Sequence, residues 1–116
     1  IWREEKKDVI LWQERKKMGQ LAWIEVFMLV AFPIDIHDNR RHVHVFYRGK
    51  RKQKCIAKIW IESHGKKCVE IDESNLGTKE NQLLLDAINQ NWDYINEQIT
   101  KTFNGEKTII KELKIK

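Results

Sequence analysis

A regular spacing of apolar side chains in the last third of the sequence decides most about the fold. Between residues 79 and 103, apolar residues recur every three to four positions, which is the period of an amphipathic α-helix. The residues of this stripe are Leu84, Ile88, Trp92, Ile95, Ile99 and Phe103. Asn104-Gly105 then supplies a helix stop. The pattern predicts one long C-terminal helix, whose apolar stripe must pack on another element.

Four segments before this helix favour β-strands. They are rich in β-branched and aromatic residues and are separated by polar or glycine-containing turns. The predicted strands cover residues 21–32, 42–47, 54–62 and 67–72. The first is apolar on both faces, as is typical of a buried central strand. The sequence therefore predicts an α+β fold with a mostly antiparallel sheet of about four strands and the long helix packed on one face.

The first 17 residues differ from the rest, since they are mostly charged with apolar residues at loosely helical spacing. They predict a peripheral N-terminal helical extension over residues 1–17, beside a single α+β domain over residues 18–116. Trp2 and Trp12 lie on this extension and either pack back on the domain or mark a protein contact. The tail, residues 107–116, is either a further strand or a segment that docks on a partner. A non-catalytic assembly protein that forms homo-oligomers is one hypothesis from these termini.

Size and composition narrow the class of protein. A chain of 116 residues with 41% hydrophobic and 34% charged residues is typical of one globular domain rather than a disordered segment. The longest apolar run is interrupted by Glu25 and is shorter than the roughly 20 residues that span a bilayer, so no membrane association is expected. Cys55 and Cys68 have no C-x-x-C spacing, and two cysteines make no disulfide framework, which favours buried free thiols in a reducing, cytoplasmic setting over a disulfide between adjacent strands.

Residues 36–45 concentrate the chemistry of the sequence, because they contain three of the four histidines. Residues two apart on a strand share a face, so His42 and His44 are expected side by side. His37 and Asp38 precede the strand and can fold back toward the same edge. Two imidazoles with a third nitrogen or oxygen are ligands for a divalent metal. The pattern predicts His37, His42 and His44 as metal ligands, with Asp38 beside them.

Other roles for these histidines remain open. His42, His44 and Asp38 are candidate acid–base groups for phosphodiester cleavage, which would make the protein a metal-dependent nuclease-like enzyme. Alternatively, His42 and His44 line the sheet face beneath the helix, together with Phe46, as partly buried hydrogen-bonding residues.

Basic residues cluster after the histidines and contribute to a formal net charge of +5 and an isoelectric point near 9.3. An excess of positive charge favours acidic partners such as nucleic acid. The predicted phosphate contacts are Arg48, Lys50, Arg51, Lys52 and Lys54, with Arg40 and Arg41 nearby. The alternative is a solvated hairpin tip whose charges protect a sheet edge.

Three motifs in order resemble a known family. Residues 38–45 resemble the D-H-x-P-P-H-x-H-V signature of the small bacterial domain-of-unknown-function family 4160, and residues 55–62 resemble its C-A-K-F-W-L-E strand. The helix resembles the closing E-L-x-x-I…E-N…L…W/F pattern through Glu80, Leu84, Ile88, Asn91, Ile95 and Phe103. The resemblance covers about 60% of the chain. This chain departs from it in the order His37-Asp38 and in Arg40 and Arg41, which stand where the family has prolines.

Members of that family are often encoded beside a second small protein, in pairs that look like toxin–antitoxin modules. The resemblance thus implies a small bacterial, cytoplasmic toxin–antitoxin-like module protein that binds a cognate, antitoxin-like partner protein. RNA or DNA is a further expected ligand.

Overall fold

A six-stranded mixed sheet forms the centre of the fold. The computed structural model describes residues 9–10, 19–38, 40–49 and 53–114. Its strands are β1 (Val9–Ile10), β2 (Gly19–Ile24), β3 (Phe27–Ala31), β4 (His42–Tyr47), β5 (Gln53–Lys54), β6 (Ala57–Ser63), β7 (Lys66–Ser74) and β8 (Lys111–Glu112). The order in the large sheet is β7-β6-β4-β3-β2-β8, and β1 pairs with β5 separately. Every pair of described strands is antiparallel except β2 with β8. The large sheet has six strands, so the predicted sheet of about four strands is wrong.

The extra strands come from two places. Residues 21–32, predicted as one strand, contain most of a hairpin in which β2 turns into β3 at Glu25, whose φ is +51°. Both strands are almost entirely buried, so the apolar run continues through the turn and Glu25 is its only charged residue. The tail contributes β8 through Lys111–Glu112, which pairs with β2. This is one of the two alternatives predicted for that segment.

The predicted long helix is also wrong, because it is two helices, α1 (Thr78–Gln90) and α2 (Trp92–Phe103). The break lies at Asn91, whose side-chain amide donates to the Ala87 carbonyl oxygen at 2.8 Å. An asparagine side chain that bonds the preceding turn competes with continuation of the helix. Both helices bury apolar residues in the same core, so the helical period crosses the break. Neither helix is long and apolar enough to cross a bilayer.

The predicted N-terminal helix is contradicted where the structure describes it. Val9–Ile10 form strand β1, which pairs with Gln53–Lys54. Apolar residues are contiguous from Val9 to Trp12, a local pattern that suits a strand better than one face of a helix. The rest of that segment, including Trp2 and Trp12, lies outside the described residues.

The alternation of side chains along β4 separates two packed faces of the sheet. Val43 and Val45 lie in the main core with the helices and with Ala57, Ile59 and Ile61 of β6. Phe46 lies in a second, smaller cluster with Met28 and Val30. His42 and His44 share the face of Phe46, so the interpretation that places them beneath the helix is wrong.

A close approach between β2 and α2 gives a test of this packing. A Cβ atom on residue 19 would lie 2.8 Å from the Cβ of Thr102 and 2.7 Å from its Cγ2. We expect Gly19→Ala to lower the free energy of unfolding by about 1–3 kcal/mol through overpacking, measured by urea denaturation. Thr102→Ala removes part of the overlap. The double variant should therefore lose less than the sum of the two single variants, and additive losses would contradict this contact.

Candidate metal centre

Three buried polar side chains converge on the sheet face opposite the helices. Nε2 of His44 lies 3.0 Å from Oδ2 of Asp35 and 3.0 Å from Nε2 of His42. The third side of this triangle, from His42 Nε2 to Asp35 Oδ2, is 3.3 Å. The three residues are 3 to 9% exposed. Such a set of one carboxylate and two imidazoles is able to hold a metal ion.

Two neighbouring elements place these residues. Strand β4 brings His42 and His44 to one face because they are two positions apart. Pro33 begins a short 3-10 helix, Pro33–His37, directly after the extended residue Phe32, and the fixed φ of proline suits this first turn. The backbone N–H of Phe32 donates to Asp35 Oδ2 at 3.4 Å. The turn therefore directs the Asp35 carboxylate back onto the strand.

Aromatic rings enclose the two imidazoles. The centroid of Phe32 lies 4.9 Å from that of His44, and Trp60 lies 5.3 Å from His42, both nearly edge-on. Trp60 is the direct cross-strand neighbour of His42 on β6. These contacts limit rotation of the rings and keep both Nε2 atoms directed at Asp35.

The three polar contacts of the triangle outnumber the hydrogen atoms that the two Nε2 atoms can supply. An imidazole Nε2 has at most one hydrogen, and a carboxylate has none. If both Nε2 atoms were protonated, both N–H groups would donate to the same Asp35 oxygen and would crowd each other across the 3.0 Å between the two nitrogens. If one were bare, its lone pair would face the carboxylate. A cation between the three atoms removes this conflict, because it accepts all three lone pairs.

The outer nitrogen of His44 adds a second conflict. The Cys55 thiol donates to the Ala57 carbonyl oxygen at 3.0 Å, and its Sγ lies 3.7 Å from His44 Nδ1. A proton on Nδ1 would satisfy the sulfur and leave Nε2 bare against Asp35. A proton on Nε2 would satisfy Asp35 and leave Nδ1 bare against a thiol that already donates elsewhere. A neutral His44 therefore satisfies both sides only if the thiol hydrogen turns from the Ala57 carbonyl oxygen to Nδ1.

The charges of the group suit metal ligation. Burial lowers the pKa of His44, and the nearby Asp35 carboxylate offsets this only in part. Burial by itself would raise the pKa of Asp35, but hydrogen bonds from His42 and His44 hold it far below its ordinary value. Near neutral pH, Asp35 is therefore an anion and His44 is neutral, the forms in which these residues bind metals.

The sequence predicted two of these three residues. His42 and His44 belong to the group, whereas His37 is exposed on the 3-10 helix and lies outside it. Asp38 has its Oδ2 3.5 Å from His42 Nδ1, on the outer side of the ring. The residue that the sequence reasoning missed is Asp35. The sequence feature that could have pointed to Asp35 is its place as a single carboxylate between Ile34 and Ile36, two positions after Pro33.

The described arginines that were predicted to contact phosphate have protein partners. Arg40 donates to the Glu62 carbonyl oxygen at 2.8 Å and pairs with Glu70 at 2.9 Å. Arg41 bonds the carbonyl and side-chain oxygens of Asn96 and also Thr100. The guanidinium of Arg48 donates to the Glu25 carbonyl oxygen. These three side chains hold the fold together at the ends of β4.

The remaining predicted phosphate contacts fall between β4 and β6 in the sequence. Lys54 is exposed on β5, and Lys50, Arg51 and Lys52 lie outside the described residues. Ten of the 22 basic residues but only four of the 17 acidic residues fall outside the described ranges. The positive excess of the chain therefore belongs to those segments of the sequence, and the described part is close to neutral.

No protein-family model, curated protein or solved structure matches this chain. The similarity to domain-of-unknown-function family 4160 remains a prediction from the three motifs.

The buried carboxylate gives a prediction for the metal-free protein. Asp35→Ala removes the acceptor for the Phe32 N–H and for the imidazole of His44. We expect a loss of about 1–3 kcal/mol in the free energy of unfolding, because buried donors lose their partner, measured by urea denaturation in the presence of a chelator. Glu73→Ala, at an exposed position of β7, is the control and should change stability by less than about 0.5 kcal/mol. Equal effects of the two substitutions would contradict the account.

Proposed function

We propose that this chain is a metal-binding domain that holds one divalent transition-metal ion through Asp35, His42 and His44. The observation that carries the proposal is the triangle of three buried ligand atoms, 3.0 to 3.3 Å apart. Three contacts share at most two hydrogens, and a cation satisfies all of them.

The size of the triangle supports this proposal. Zinc lies about 2.0–2.1 Å from nitrogen and oxygen ligands, so the ligand atoms of a tetrahedral site are about 3.3 Å apart. In an octahedral site with similar bond lengths, adjacent ligands are about 3.0 Å apart. The observed separations lie in this range. A divalent ion therefore requires little movement of the three side chains.

The donor set indicates the class of metal. Two imidazoles with one carboxylate suit zinc, iron or manganese. Calcium and magnesium prefer sites built from oxygen, and the group offers one oxygen ligand from Asp35 beside two nitrogens. Zinc is the first choice because three protein ligands with one open position are the usual set of its catalytic sites.

Metal content tests the proposal. We expect the full chain, purified without chelator, to contain close to one zinc, iron or manganese per molecule by mass spectrometry. His42→Ala removes one of three ligands and should abolish stoichiometric metal. His37→Ala is the matched control, because this exposed histidine lies five residues away in sequence and outside the triangle, and it should retain the metal. Metal-free wild-type protein that also fails to bind added zinc would refute the proposal.

A hydrolytic enzyme is the second candidate, and the number of ligands favours it. Among the residues that the structure describes, the group has three members, which is the number of protein ligands in catalytic zinc sites, whereas structural sites have four. A bound zinc ion would supply a Lewis acid and lower the pKa of a coordinated water. Asp35, His42 and His44 would hold that ion, and phosphodiesters of RNA or DNA are the substrates that the basic segments of the sequence favour.

Nuclease activity is tested with metal-loaded protein on single- and double-stranded RNA and DNA. We expect metal-dependent cleavage that His42→Ala abolishes and His37→Ala preserves, while the affinity for uncleaved substrate is unchanged in both. If no substrate is cleaved, the enzymatic candidate fails but the metal-binding proposal stands. Cleavage that survives His42→Ala would point to a different site or to a contaminating nuclease.

The toxin–antitoxin-like role, with its partner protein and its cytoplasmic location, rests on the resemblance and on the composition of the sequence. It is compatible with a metal centre, since a metal-binding domain can also bind a partner. The basic residues 50–52 are where we propose nucleic-acid contacts.

A further inference from the structure

The outer nitrogen of His42 is a buried polar atom without a hydrogen bond in the described part of the chain. Oδ2 of Asp38 lies 3.5 Å from it, close enough for an ionic contact but outside hydrogen-bonding geometry. A buried polar group without a partner costs about 1–3 kcal/mol. Such an atom needs an explanation, and a small movement of Asp38 would provide its partner.

The outer nitrogen of His44 has a comparable neighbour. Cys55 Sγ lies 3.7 Å from His44 Nδ1, and its own hydrogen is directed to the Ala57 carbonyl oxygen. A thiol whose hydrogen is directed elsewhere can face the imidazole with a lone pair of its sulfur. Each of the two histidines thus has an acceptor atom, an oxygen or a sulfur, beside the nitrogen that faces away from the triangle.

We propose that Asp38 and Cys55 are positioning residues of the metal centre, an inference that rests on the proposed function. Each accepts a hydrogen from the Nδ1 of one histidine, Asp38 from His42 and Cys55 from His44. A proton on Nδ1 leaves a bare lone pair on Nε2, which is the atom directed at the metal. Partners of this kind fix the tautomer and orientation of metal-ligating histidines. When an ion holds the His42 ring, its Nδ1, which now has no hydrogen bond within the described part of the chain, donates a hydrogen bond to the Asp38 carboxylate.

Cys55 allows positioning to be separated from packing. It is half-buried and packs against Met28, Val30 and Phe46. Cys55→Ser keeps an acceptor for the His44 N–H but loses apolar contact, whereas Cys55→Val keeps the contact and loses the acceptor. The two roles therefore predict opposite rankings of the same two variants. Asp38 is 37% exposed at its side chain, so Asp38→Ala should leave the metal-free fold intact.

The experiment titrates the metal-free full chain with Co²⁺, followed by its visible absorption bands, and then displaces it with Zn²⁺. We expect Asp38→Ala and Cys55→Val to weaken Co²⁺ binding by about 10- to 100-fold and to shift the bands. Cys55→Ser should bind nearly as the wild type does, although urea denatures it more readily. Cys68→Val and Asp86→Asn are the matched controls, since both lie outside the group and its neighbours, and both should bind as the wild type does.

Two results would overturn this inference while leaving the metal centre in place. One is wild-type affinity in both Asp38→Ala and Cys55→Val. The other is a Co²⁺ affinity that falls in step with the stability of the fold, so that Cys55→Ser binds Co²⁺ more weakly than Cys55→Val does. If the wild type binds neither Co²⁺ nor Zn²⁺, the proposed function itself fails and the inference fails with it.

Discussion

The pairing of β4 with β3 on one side and β6 on the other is the constraint on which the core and the candidate site both depend. Register places Val30 opposite His44 on one side and Trp60 opposite His42 on the other. Because side chains alternate along a strand, the same register sends Val43 and Val45 into the helix-covered core. A slip of one residue would bury the imidazoles among aliphatic side chains. The stability of the core therefore fixes the face on which the histidines lie.

Asp35 makes this face chemically distinctive. Without it, His42 and His44 would form an imidazole pair with one hydrogen between their Nε2 atoms. The carboxylate adds a third acceptor at 3.0 and 3.3 Å, and the group then has more lone pairs than hydrogens. Proteins rarely leave buried polar atoms in such conflict. A divalent cation would resolve it, as we propose, and Asp38 and Cys55 beside the outer nitrogens suit the same arrangement.

Sequence reasoning succeeded where the signal is local. The bounds of His42–Tyr47 were predicted as observed, because alternation along a short strand needs no knowledge of its neighbours. The helical period between residues 79 and 103 was also correct, but the break at Asn91 depends on one side chain bonding the preceding turn. Asp35 was missed because its approach to His44 depends on how the 3-10 helix packs back on β4. No spacing rule in the sequence contains that contact, whereas the same spacing also pointed to His37, which is exposed and lies outside the group.

Anomalous diffraction from crystals of the zinc-loaded full chain, measured on both sides of the zinc absorption edge, would test the metal centre most directly. The account predicts one strong anomalous peak about 2.0–2.2 Å from Asp35 Oδ2, His42 Nε2 and His44 Nε2. It also predicts that this peak is absent in crystals of His42→Ala grown with the same zinc concentration. A zinc ion bound only at another place, such as His64 or Cys68, would contradict the account if Asp35, His42 and His44 still contact one another directly.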